Sequence, residues 1–143
     1  SVGLLAGSIT AILSAIGLAW LLGGSSRTLL SLAPKSVTTP VAMGIAEKIG
    51  GLPSLTAVMV ILTGVVGAVA APALLGWLRI RDEAVQGLAI GVAAHGIGTA
   101  RALQISSIAG AFAGLAIGLN ALLTALLAPL IVQWLHLTPN GLP

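Results

Sequence analysis

Cysteine and tyrosine are missing from this 143-residue chain, phenylalanine occurs once, and there are only six basic and three acidic side chains. Without cysteine there is no disulfide framework, no thiolate nucleophile and no sulfur metal site. The acids are Glu47, Asp82 and Glu83, the last two adjacent, and the histidines are His95 and His136. Such a set supplies neither the two aspartates nor the serine–histidine pair of an intramembrane protease, and no ligand spacing for a metal. The expectation is therefore a protein that is not an enzyme, with no metal and no cofactor. The net charge of +3 comes without a basic stripe interleaved with aromatics, so it is read as membrane topology and not as nucleic-acid binding.

What the chain does have is apolar length. It is 57% hydrophobic and 6% charged, with a mean hydropathy of +1.14, a composition that belongs to integral membrane proteins and not to soluble domains. Nineteen glycines and abundant alanine suit helices that approach closely where water gives no hydrophobic drive. The apolar runs are long and uninterrupted, unlike the alternating segments of a transmembrane barrel. An all-α, polytopic transmembrane bundle follows, with the lipid bilayer as its surroundings.

Residues 2–22 form a first span, long enough for a hydrocarbon core of roughly 30 Å. Gly23-Gly-Ser-Ser-Arg27 reads as a loop in which Ser25 or Ser26 caps a short helix from Thr28 to Ala33. The stretch from Leu32 to Met43, Leu-Ala-Pro-Lys-Ser-Val-Thr-Thr-Pro-Val-Ala-Met, then breaks the apolar pattern. Pro34 and Pro40 lack backbone N–H groups and disfavour helix before them, so residues 35–39 are expected as an unwound link between two half-helices. The second half-helix stops at Gly50-Gly51. Residues 52–78 form the second long run, with Pro53 in its first turn, Pro72 deep inside and Trp77 as interfacial anchor. Arg79-Ile-Arg-Asp-Glu83 is a solvated connection whose acids suit the next helix start. That segment, residues 84–94, is expected to break at His95-Gly-Ile-Gly-Thr-Ala-Arg101, with a second half-helix from Ala100 to about Ser107. The last long run covers residues 108–135, and the tail from His136 is short.

At membrane depth an unwound link is tolerated only against protein or water, and an ionisable residue there is presumed functional. The candidate substrate-binding residues are Lys35 as charge partner for a small anion, with Ser36, Thr38 and Thr39 as donors, and His95, Thr99 and Arg101 at the second break. Pro34, Pro40, Gly96 and Gly98 are the break and hinge residues. Each has a plainer alternative: an interfacial lysine for Lys35, a helix-packing hydrogen bond for His95, a bond to its own helix backbone for Thr99, and snorkelling to the interface for Arg101. Gly96-Ile-Gly98 is not a nucleotide fingerprint, because no strand precedes it.

The segments also repeat. Each of two units is a broken helix followed by a long helix ending Pro-x-x-x-x-Trp-Leu, from Pro72 to Leu78 and from Pro129 to Leu135. Broken helices in corresponding positions are a transporter's sequence signature. If each broken helix crosses the membrane once, Arg27, Arg79 and Arg81 share a face, and the positive-inside rule puts that face and the C-terminal tail in the cytoplasm. A re-entrant hairpin in either place would undo that count.

Four motifs in order, Pro34 to Met43, Ile49-Gly-Gly-Leu-Pro-Ser-Leu-Thr-Ala57, Ile61-Leu-Thr-Gly64 and Ala94-His-Gly-Ile-Gly-Thr-Ala-Arg-Ala102, closely resemble the LrgB/CidB family of bacterial membrane proteins. The resemblance covers nearly the whole chain and implies a single transmembrane domain over residues 1–143. It corresponds to the C-terminal part of longer members that carry further N-terminal spans. Gly44 departs from the pattern, since relatives often have an acid there. The resemblance implies one of two functions: transport of small monocarboxylates such as glycolate, glycerate or pyruvate, or antiholin-like regulation of murein hydrolase export and lysis. It also implies the bacterial inner membrane, a homo-oligomer and a small LrgA/CidA-like membrane partner. The unwound cationic links favour a carrier working by alternating access, with proton coupling open to His95. A third expectation is that this stretch alone transports nothing, because missing N-terminal spans supply half of the site.

Overall fold

A computed structural model describes residues 2–139, and among these the chain forms six α-helices: α1 (Val2–Leu21), α2 (Ser26–Leu32), α3 (Thr39–Ile49), α4 (Pro53–Trp77), α5 (Glu83–Ile105) and α6 (Ser107–Trp134). The local chemistry sets their ends. Ser25, Asp82 and Ser106 each accept a hydrogen bond at a helix start, from the N–H groups of Thr28, Val85 and Ala109. Pro53 opens α4, where its missing N–H costs nothing. Gly50 ends α3 at φ 89°, a left-handed conformation that suits a residue without Cβ. Three helices, α1, α4 and α6, are long and apolar enough to cross a membrane.

The first break matches its expectation closely: the helix stops after Leu32 and resumes at Thr39. Its direction does not. The Leu52 N–H at the start of α4 donates to Ser31 Oγ at 2.7 Å, and Thr56 Oγ1 donates to the Ser31 carbonyl at 2.7 Å. A Cβ at Gly51 would sit 2.9 Å from the Ser31 nitrogen. The end of α3 has thus returned to the last turn of α2, and α2 and α3 form a re-entrant hairpin.

The second break is narrower than the His95–Arg101 stretch expected, and its half-helix begins at Gly96, not at Ala100. The only non-helical backbone inside α5 is at His95, φ 41° and ψ −135°. This one residue reverses the chain: a Cβ at Gly98 would lie 2.5 Å from Ala94 Cβ and 3.1 Å from the Ile90 carbonyl oxygen. In a straight helix the turn at Ile90 would be roughly 12 Å away along the axis. Residues 83–94 run alongside α6, where Gly87 meets Ala109 and Gly91 meets Ala113. Residues 96–105 come back, and Leu103 packs on Gly110.

Among the described residues three helices are thus placed as crossings, where the sequence suggested five. Calling the face where α1 begins the N face and the other the C face, α1 and α6 run parallel, as Ser8 bonds Asn120 while Ile16 and Ala19 share a core with Ala128 and Val132. The α2–α3 hairpin enters from the C face and α4 returns to the N face. The α5 hairpin enters from the N face and α6 goes to the C face. The two repeat units, each a hairpin followed by a long helix, are inverted relative to each other. Arg27 consequently lies on the opposite face from Arg79 and Arg81, so the charge argument that placed the C-terminal tail in the cytoplasm loses its premise. Residues 140–143 of that tail, like Ser1, lie outside the described residues.

Candidate functional site

Both hairpins end half-way along α4 and α6, and there the candidate residues gather. At the first tip Pro34 and Ser36 are buried and Lys35, Thr38 and Thr39 are partly buried. Lys35 Nζ donates to Ser36 Oγ at 3.3 Å and forms no ion pair among the described residues, whose three acids are all exposed. Thr38 begins α3 without a side-chain capping bond, and Pro40 sits in the first turn. The tip thus offers a cation, hydroxyls and the N-terminal end of α3, a combination suited to an anion.

The second tip is His95 itself, 4% exposed. Its Nε2–H donates to the Val60 carbonyl in the middle of α4 at 2.8 Å, which leaves Nδ1 as the acceptor of the neutral ring. The ring rests on Gly64, and Ala94 beside it rests on Gly67, where a Cβ would approach within 2.5 Å. Thr99 takes its plainer reading, since its hydroxyl donates to the His95 carbonyl at 3.0 Å and steadies the reversal. Gly98 provides the close approach between the two arms, and Gly96 is exposed at the turn. Arg101 is not brought to the tips: it is exposed on the returning arm and donates to Gln104 Oε1 at 2.6 Å.

Asn120, which sequence reasoning passed over, completes the centre with Ser8 as its partner. Asn120, 1% exposed in the middle of α6, donates from Nδ2 to the carbonyls of Ser36 at 3.1 Å and Val92 at 3.2 Å, and its Oδ1 accepts from Ser8 Oγ. The available signal was an amide in the middle of a long apolar run, a position where polar side chains join membrane helices. A groove of about 320 Å³ leads from Pro40, beside Thr39, along Val41, Gly44 and Ile45 to Lys48 near the C face, with Ala125 and Pro129 as its opposite wall.

These features define a multi-spanning membrane protein built on an inverted pair of re-entrant hairpins. The LrgB-like family model matches residues 1–134, and the chain belongs to that family. It is 40% identical over 129 residues to YwbG of Bacillus subtilis, an uncharacterized protein, covering 90% of this chain and 57% of that one. YxaC of the same organism, also uncharacterized, is 39% identical, with 94% and 59% covered. The holin-like protein CidB of Staphylococcus aureus is 31% identical over 110 residues, with 77% and 48% covered. The chain spans a little over half the length of the first two. No solved structure matches it.

Proposed function

We propose that the chain is part of a carrier for small monocarboxylates, such as glycolate, glycerate or pyruvate, that works by alternating access in the bacterial inner membrane. The observation that carries this reading is Lys35: an ammonium without a carboxylate partner among the described residues, held in a hairpin tip that meets a second hairpin from the opposite face at Asn120. A lysine near a bilayer centre costs about 3 kcal/mol, and a bound carboxylate offsets that cost where no protein acid does. Ser36, Thr38 and Thr39 supply donors around it, His95 is the candidate for proton passage, and the groove toward Lys48 is the approach from the C face. Arg101 enters the site only with a movement of its arm. Inverted discontinuous helices around a central site are the usual setting for alternating access. Association of copies, with a small LrgA/CidA-like membrane protein as partner, belongs to the same proposal.

The second reading is a holin-like membrane protein, which the holin-like CidB relatives favour over transport. One experiment separates the two. The full chain in proteoliposomes is offered radiolabelled glycolate, pyruvate and lactate, beside Lys35→Ala and His95→Ala variants and an entrapped dye. A carrier gives saturable uptake that Lys35→Ala abolishes, with the dye retained. Dye leakage indifferent to both substitutions, without saturable uptake, rejects the carrier and leaves the holin-like reading.

A further inference from the structure

The two hairpins come from opposite faces and from distant parts of the chain, yet one side chain holds both. Each carbonyl that Asn120 serves lies where helical bonding runs out. Ser36 is followed four residues later by Pro40, which has no N–H to return, and Val92 stands in the last turn before the reversal at His95. The amide orientation is fixed by this arrangement, because the flipped form would aim Oδ1 at two carbonyl oxygens. Ser8 from α1 completes the set: its hydroxyl reaches Asn120 Oδ1 and also lies 2.9 Å from the Leu4 carbonyl. Every hydrogen-bonding group of the Asn120 amide is therefore engaged, with partners on α1 and on both hairpins.

We propose that Asn120 is a positioning residue that locks the two hairpin tips to each other, so that they move as one unit. Under the carrier reading, on which this consequence rests, the carboxylate site then stays assembled from both tips while access changes, since opening both tips at once would join the two sides of the membrane.

The lock is tested by cysteine labelling, which the cysteine-free sequence permits. Single cysteines replace Val37 on the first tip, Val92 on the second hairpin, and Ala128 further along α6 as a control; none of these side chains carries the Asn120 bonds. Maleimide labelling is timed in proteoliposomes with Asn120 present and with Asn120→Leu, which matches its size but donates nothing. Loss of two buried hydrogen bonds should raise labelling at Val37→Cys and Val92→Cys together by about tenfold, with Ala128→Cys unchanged. Unaltered rates at both tips, or an equal rise at Ala128→Cys, overturns the lock. Should the leucine variant not be monodisperse, Asn120→Asp, with one donor at most, decides by the same rates. Added pyruvate and glycolate address the carrier reading separately: labelling that responds to Asn120→Leu but to neither carboxylate upholds the lock and counts against the carrier.

Discussion

The His95 ring lies so close to the Gly64 backbone that a Cβ there would come within 2.6 Å of Cε1 and 2.9 Å of Nε2. The same Nε2 is tied to the Val60 carbonyl one turn earlier on α4, so the ring cannot retreat without losing its bond. Gly64→Ala is expected to cost about 1–3 kcal/mol through overpacking and to reduce carboxylate uptake by displacing the imidazole. Gly118→Ala is the control, because nothing lies within 4 Å of a Cβ at that position, and added helix propensity there gives up to about 1 kcal/mol of stabilisation. Thermal loss of the monodisperse species reads both; equal behaviour of the two variants would contradict the placement of His95.

His95 combines a backbone role with a side-chain role, and substitution can divide them. Its φ of 41° is strained for a residue with a side chain, at a cost of about 1–3 kcal/mol. His95→Gly relieves that strain while giving up the bond to Val60, so yield of folded protein should remain near that of the parent. Uptake should nevertheless be lost. His95→Val, β-branched at a positive φ, should lose folded protein as well. Comparable yields for the two variants would mean that the reversal at this residue does not depend on its backbone conformation.

The breaks were legible in the sequence because their chemistry is local. Pro34 and Pro40 withdraw donors wherever the chain goes, and Ser25, Asp82 and Pro53 mark helix starts by their own geometry. The direction taken after each break was not legible, since a proline-bounded link serves a continued crossing as well as a reversal. What decides it is Ser31 meeting Leu52 and Gly98 meeting Ile90, contacts between residues well apart in sequence. At the second break the pair Gly96 and Gly98 suggested a wide unwound stretch, yet the reversal falls on His95 and Gly98 serves close packing instead. Asn120 escaped notice for a similar reason: its carbonyl partners are 84 and 28 residues away.

Two hydroxyls tie the base of the first hairpin to α4, those of Ser31 and Thr56. Ser31 Oγ accepts from the Leu52 N–H and donates to the Arg27 carbonyl at 2.6 Å, and Ser31 is fully buried. Ser31→Ala leaves the Leu52 N–H without that acceptor, so a destabilisation of about 1–3 kcal/mol is expected. Ser14→Ala removes only an exposed bond to the Ala11 carbonyl at 3.3 Å and should change nothing measurable. Thermal denaturation of the two variants checks the difference, and an equal, negligible effect would mean that the Thr56 bond and apolar packing hold the hairpin to α4 without the Ser31 hydroxyl.

The sharpest test of the architecture concerns two arginines. Arg27 lies in the first turn of α2, at the entry to the first hairpin, and Arg79 follows α4; both are exposed. If α2 and α3 together crossed the membrane, two crossings would separate these residues and return them to one face. With α2 and α3 folded back on Ser31, only α4 lies between them as a crossing, and they must stand on opposite faces. Arg27→Cys and Arg79→Cys, labelled separately with an impermeant maleimide in vesicles of known orientation, should therefore react from opposite sides. Labelling of both from the same side would remove the first hairpin and with it the meeting of the tips on which the carrier site depends.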